Sequence, residues 1–240
     1  MPNMVFARKE MKYMVPPDRY ADFTAELLTH MQGDKYGEYT TCNVYYDTDI
    51  FNLIRMSMDR PLYKEKLRVR SYGVPTPGSN VFVEIKKKYD GIVYKRRETM
   101  PYTVACDFLD RGIYPDNLDS QIMREIRYFM EYHHPVPKLY LAYDRIAYAA
   151  QSPAEDVRLT MDSSIRYRFD RVALHEGMEG EQLLSPGEHL MEIKTATAIP
   201  LWLCEMLDRY RIRRISFSKY GKIYEKNWRK LGGPPPAPQP

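Results

Sequence analysis

Lys64-Glu-Lys-Leu-Arg-Val-Arg-Ser-Tyr72 is followed closely by Val81-Phe-Val-Glu-Ile-Lys-Lys-Lys88, and these two stretches decide the fold. Side chains alternate faces along a strand. Lys64, Lys66, Arg68 and Arg70 therefore share one face of the first stretch, with Leu67 and Val69 on the other. In the second, Glu84, Lys86 and Lys88 oppose Val81, Val83 and Ile85. Like charges facing each other across neighbouring strands repel. So dense a row of cations needs either open solvent or an anion between the strands, and phosphate chains are the commonest polyanion.

Working outward, residues 3–15 alternate as well, with Val5, Ala7, Met11, Tyr13 and Val15 on one side and Arg8, Glu10 and Lys12 on the other. Pro16-Pro-Asp18 stops this strand and starts a helix in which Tyr20, Phe23, Leu27 and Leu28 recur at helical spacing. Thr41 to Asp47 reads as a strand. Asp90-Gly91 predicts a tight hairpin into Ile92–Glu98. A short helix over 103–111 and a longer amphipathic one from Leu118 to Tyr132 follow. Strands resume at Leu139–Ala149, Val157–Asp162, Ile165–Asp170 and His189–Thr195. Ile199 to Tyr210 reads as a helix with Pro200 in its first turn. Residues 215–220 precede a short helical end. One domain is expected over 1–230, and residues 231–240, rich in proline, read as a disordered tail.

The whole chain of 240 residues carries a net charge of only +4, so the basic strand faces are a local feature. A general nucleic-acid binder is more often basic across an outer surface, and no nucleic-acid partner is expected. Cys42, Cys106 and Cys204 are scattered and form no CxxC pair, which argues against a zinc site or a disulfide framework. His133-His134 ends a helix before a proline and reads as a surface pair. No phosphate-binding loop of the Gly-x-x-x-x-Gly-Lys type occurs. Without a signal peptide or a membrane span, the chain is expected to be soluble and cytoplasmic, with a membrane-protein partner left open as a tether.

About eight or nine strands interrupted by helices, several with one charged and one apolar face, admit two architectures. Charged faces can point to water, or a closed barrel can carry them in its lumen with helices covering an apolar exterior. The second is the expectation: an α+β fold built on an antiparallel β-barrel tunnel with flanking helices.

The ordered series Glu10-x-Lys12, Tyr46-Asp47, Leu67-Arg-x-Arg-x-Tyr72, Glu84-x-Lys86, Lys95-x-Arg97, Tyr143-Asp-Arg145, Arg158, Glu192-x-Lys194 and Phe217-Ser-Lys219 resembles the VTC domain. That is the polyphosphate polymerase domain of the vacuolar transporter chaperone complex and its bacterial relatives, within the triphosphate tunnel or CYTH-like superfamily. The resemblance implies a cation-lined tunnel that binds ATP and polyphosphate, a divalent metal (Mn²⁺ or Mg²⁺) held by acidic residues, and transfer of the ATP γ-phosphate to a growing chain. Hydrolytic relatives begin with Glu-x-Glu-x-Lys. Here the run is Arg8-Lys-Glu10-Met-Lys12, so Arg8 replaces the first acid, which leans away from hydrolysis.

On this resemblance Arg68, Arg70, Lys86 and Lys12 are the expected catalytic cations. Lys66, Lys95, Arg97, Arg145, Arg158, Lys194, Ser218 and Lys219 are expected to bind substrate. Glu192 is the expected metal ligand, assisted by Glu10, while Glu84 either joins them or neutralises a neighbouring lysine. Cations occupy both phases of the strand carrying Lys95 and Arg96, so its inward register stays open. A binding module for polyphosphate or inositol phosphates without turnover, and a metal-dependent triphosphatase, are the alternatives.

Overall fold

The computed structural model describes residues 9–59, 61–90, 92–115, 118–152, 155–196, 198–233 and 235. Val5, Ala7 and Arg8, the Gly91 of the hairpin and most of the tail expected over 231–240 lie outside the described residues. The class is α+β, with ten strands and six helices among the described residues: β1 (Lys9–Val15), α1 (Pro17–Leu27), β2 (Met31–Asp47), α2 (Asn52–Met58), β3 (Tyr63–Tyr72), β4 (Asn80–Tyr89), β5 (Ile92–Pro101), α3 (Tyr102–Arg111), α4 (Gln121–His133), β6 (Val136–Ala150), β7 (Val157–Arg168), β8 (Glu181–Gln182), β9 (His189–Thr195), α5 (Leu201–Arg209), β10 (Arg214–Ile215) and α6 (Lys219–Asn227). No described helix is long and apolar enough to cross a membrane.

The chain forms two compact units. The first takes the described residues of Met1–Thr40, Tyr143–Ile165 and Gln182–Phe217, and the second those of Thr41–Ala142, Arg166–Glu181 and Ser218–Pro240. In the first unit the strand order is β10-β1-β9-β7-β6-β2. Its apolar faces bury Tyr13, Val15, Leu159, Met161, Met191 and Ile193 against Phe23 and Leu27 of α1 and Leu203 and Met206 of α5. Pro17 occupies the first turn of α1 and Pro200 directly precedes α5, positions where a missing N–H costs nothing.

In the second unit the order is β6-β2-β3-β4-β5. The apolar face of β3 and β4 (Leu67, Val69, Val81, Val83, Ile85) is covered by Phe108 and Leu109 of α3 and Met123, Ile126 and Phe129 of α4. Ser120 caps α4 by accepting from the Met123 N–H at 3.1 Å, and Gly112, at φ +70°, ends α3 in the left-handed turn that glycine adopts without strain. Helices therefore cover the apolar faces and leave the charged faces opposite them, as expected. Every pairing whose register is described is antiparallel. In neither unit does the strand order return on itself, so the observed order shows the antiparallel sheets without showing barrel closure.

Three local expectations change. β2 begins at Met31 rather than Thr41. The two strands expected over 157–170 are one, β7, which passes through Ser164 at φ +45°. Helix α2 was not expected at all. Its preceding residue, Phe51, sits at φ +57° and supplies no side-chain cap; the capping comes instead from Asp47, whose carboxylate accepts from the Leu53 and Ile54 N–H groups at 2.9 and 3.0 Å.

Candidate functional site

Two polar strand faces carry the residues singled out above, one in each unit. On the second unit's face the registers of β2, β3, β4 and β5 stack the side chains in rows. Lys66, Lys86 and Lys95 are direct cross-strand neighbours, and in the next row so are Tyr45, Arg68, Glu84 and Arg97. Asn43 faces Arg70 one row further, and Lys64 faces Lys88 at the other end.

Glu84 is the centre of this face. It is 2% exposed. One carboxylate oxygen takes Arg68 Nε at 2.7 Å and Nη2 at 2.6 Å, with Arg70 Nη2 at 3.6 Å. The other takes Lys95 Nζ at 3.0 Å, with Arg97 Nη1 at 4.0 Å. Burial pushes the Glu84 carboxyl up, but Arg68, Arg70 and Lys95 outweigh it and hold it at about 2. Lys95 is pulled down to about 8, first by its enclosure and then by Arg70 and Arg68, with Glu84 opposing them. Its side chain is still 47% exposed. The guanidiniums are aimed by neutral partners as well. Arg68 donates to the Tyr45 hydroxyl at 3.0 Å, and Arg70 Nε donates to Asn43 Oδ1 at 3.1 Å, while Asn43 is held by the Leu141 carbonyl. Lys86 is exposed and has no ion pair among the described residues.

The open register is settled in this unit. Lys95 and Arg97 join Glu84, whereas Arg96 points to the helix side and pairs with Glu125 of α4. Glu84, left between two roles, is the neutralising group for four cations. Ser218 caps α6, accepting from the Gly221 N–H at 3.2 Å, and Lys219 follows it in the first turn. The next residue, Tyr220, lies under Lys66 (Nζ to ring centre 5.9 Å) and donates to Asp47 at 2.8 Å. Burial raises the Asp47 carboxyl, opposed by Tyr220 and the backbone N–H groups it accepts from.

On the first unit's face, β1, β9 and β7 align Glu10 with Lys194 and Arg158, and Lys12 with Glu192 and Thr160. Lys12 Nζ lies 3.3 Å from Glu10 and 3.9 Å from Glu192, and donates to the Phe217 carbonyl at 3.0 Å. Lys194 pairs with Glu192. Arg158 is exposed and has no ion pair among the described residues. Arg145 is differently placed from its expected role, because its fork is bidentate to the buried Asp162 at 2.6 and 2.8 Å. Burial disfavours that charge, but Tyr143, Asp162 and Glu192 together raise the guanidinium.

Among the described residues no group of three or more His, Cys, Asp or Glu side chains gathers as for a metal. The donors present are two carboxylates, Glu10 and Glu192, that share Lys12. Mg²⁺ commonly takes one or two carboxylates and completes its shell with water and substrate phosphates, so this pair fits a metal arriving with phosphate. His133, expected at the surface, instead bonds Glu65 at 2.8 Å. Asn43, Tyr45 and Asp162 were not foreseen. Strand phase was the available signal for the first two, since they alternate with Val44 and Tyr46.

A candidate adenylate cyclase from Bacillus halodurans superposes with a TM-score of 0.52 at 15% identity, covering 88% of this chain and 95% of that one; this likeness shows the fold. A candidate adenylyl cyclase from Hippeastrum, described as having a dominant triphosphatase activity, gives 0.48 at 14% identity over 95% and 97% of the two chains. The search of curated proteins gives no match. The family description "VTC domain" matches residues 7–226, a span that takes in every strand bearing the cation rows, and the chain belongs to the VTC domain family.

Proposed function

We propose that this VTC domain is an ATP-dependent polyphosphate polymerase. The observation that carries the reading is the Lys66–Lys86–Lys95 row beside the Arg68 and Arg70 forks around Glu84. Such a row is repulsive by itself and is relieved by a multivalent anion. The closed, cation-lined barrel implied by the resemblance is part of this proposal.

A terminal phosphate oxygen of the acceptor chain attacks the γ-phosphorus of ATP in line; the new P–O bond forms as the bond to the β-phosphate oxygen breaks, and ADP leaves. Phosphoryl transfer needs positioning and charge neutralisation more than covalent help. Arg68 and Arg70 offer planar forks to phosphate oxygens, pre-aimed by Glu84, Tyr45 and Asn43. Lys66, Lys86, Lys95 and Arg97 supply charge along the chain. Lys12, Lys194 and Arg158 bind phosphate on the first unit's face, and Ser218 and Lys219 are assigned to the terminal phosphate. Arg145 supports that face by fixing Asp162. Glu192, with Glu10, would hold Mn²⁺ or Mg²⁺, which neutralises phosphate charge when bound. Arg8 in place of an acid favours a held chain over a hydrolysed one.

Incubation with ATP, Mn²⁺ or Mg²⁺ and a short polyphosphate primer tests this directly. Longer chains with ADP and little free phosphate are expected; free phosphate without elongation would make the protein a triphosphatase. Tight polyphosphate binding with no product would leave a binding module, a reading favoured by the lysines already paired with both Glu10 and Glu192. Glu192→Gln is expected to keep polyphosphate affinity and lower metal-dependent turnover by about 100-fold; full activity in that variant removes the metal assignment.

Lys95 gives a pH signature. Its native value of about 8 lies below the ordinary 10.5, so between those values the unfolded chain holds more protons and stability rises with pH. Polyphosphate favours the protonated amine, so binding above about pH 8 takes up a proton and weakens as pH rises. Titration calorimetry in buffers of different ionisation heat reads that uptake, and Lys95→Met should abolish it.

A further inference from the structure

The far end of the β3–β4–β5 sheet carries an apolar cluster that the phosphate chemistry does not use. Tyr63, Tyr89 and Ile92 are direct cross-strand neighbours in its last row. All three are exposed, as are Leu62, Val93 and Tyr94. Tyr63 has the strand phase of buried Leu67 and Val69 but is exposed, beside Glu125 and Tyr128 of α4. Because Val93 and Lys88 form the adjacent pair on the opposite face, the apolar surface wraps both sides of the sheet end. It is a tip rather than an uncovered face. Tyr128 and Tyr132, stacked at 5.8 Å on α4, are exposed as well.

The tip is collared by cations. Lys64 and Lys88 face each other one row in, and on the helix side Lys87 and Arg96 share the single carboxylate of Glu125 at 3.0 and 3.3 Å. The acids at the tip are Asp90 and Glu65, and Glu65 is engaged by Tyr63 and His133. The outer strand β5 carries Lys95, Arg96 and Arg97 in succession, which discourages pairing with a strand of another protein. Aliphatic residues at an extremity, tyrosines beside them and a basic collar behind match the layers of an anionic bilayer: acyl chains, interface and charged headgroups.

We propose that this tip docks on a membrane surface containing anionic lipid, with Ile92 and Val93 entering the acyl boundary, Tyr63 and Tyr89 at headgroup depth, and the collar against lipid phosphates.

The test is co-sedimentation of the full chain with phosphatidylcholine vesicles with or without about 30 mol% phosphatidylserine. Binding is expected only to the anionic vesicles and should weaken as salt rises. The double variant Ile92→Ser, Val93→Ser should bind them about tenfold more weakly, with polyphosphate affinity and melting temperature unchanged. Ile92→Trp should bind more tightly, which guards against loss through misfolding. If the parent ignores anionic vesicles, the proposal is wrong, including the case where the tip captures a protein instead. It is equally wrong if the double variant binds like the parent and polyphosphate displaces both, since lipid phosphate would then be sitting on the cation rows.

Discussion

Replacing Glu84 by Gln is expected to lower stability by about 3 kcal/mol, the scale of an uncompensated buried ion. The substitution keeps the shape and removes the charge that Arg68, Arg70, Lys95 and Arg97 surround. The cations stay, fixed by strand register, and repel. Inorganic triphosphate or a short polyphosphate should then raise the melting temperature of the variant more than that of the parent, because the added anion replaces the missing one. A parallel effect appears in acid. The native Glu84 carboxyl is held at about 2, against an ordinary 4.5, so its stabilisation is complete above about pH 4.5 and vanishes as pH falls toward 2. Glu84→Gln should flatten the acid limb of the stability curve over that window. An unchanged acid limb, or an undiminished melting temperature, would show that Glu84 does not anchor the face.

Replacing Lys86 by Ala should do the opposite to stability and the worst to binding. Lys86 stands between Lys66 and Lys95. Its removal relieves cross-strand repulsion and should stabilise the protein by about 0.5 kcal/mol. Polyphosphate affinity should fall by about tenfold or more, with a shallower salt dependence, because one phosphate contact is gone. Chemical denaturation and polyphosphate titration on the same preparation measure both. A variant that loses stability together with affinity would mean that Lys86 is structural, and the row would lose its claim to be held apart for a ligand.

Where charge and apolar residues alternate cleanly, the sequence alone shows the strand and its faces. Glu10 and Lys12, Lys64 to Arg70, and Glu192 with Lys194 lie on the polar sides their phase requires. Legibility ends where a partner distant in sequence decides. Phase could not choose between Lys95 and Arg96, since both are cations; Glu84 on one side and Glu125 on the other divide them. Nothing near Arg145 announced that Asp162 would occupy its fork. The first half of β2 is polar and contains Gly33 and Gly37, so it reads as turn. Ser163-Ser164 interrupts the alternation of β7 without ending the strand. Helix α2 escaped because its capping carboxylate comes from Asp47, outside the window in which a cap is normally sought. The family resemblance named an ordered set of charged positions and carried none of these pairings.

The bond from Tyr220 to Asp47 has a consequence for how the protein is made. It joins residues 173 apart, and the carboxylate it satisfies also holds the start of α2. Both compact units are sewn from three separate stretches of chain. As a ribosome delivers the polypeptide in order, the cation-bearing hairpins emerge early, yet neither unit can close until its last stretch has followed. Through that interval the emerged strands wait for their last neighbours, with Glu84 already set among the cations of its own hairpins. Non-local closure of this kind is slow, so the growing chain stays open until its last stretches have left the ribosome.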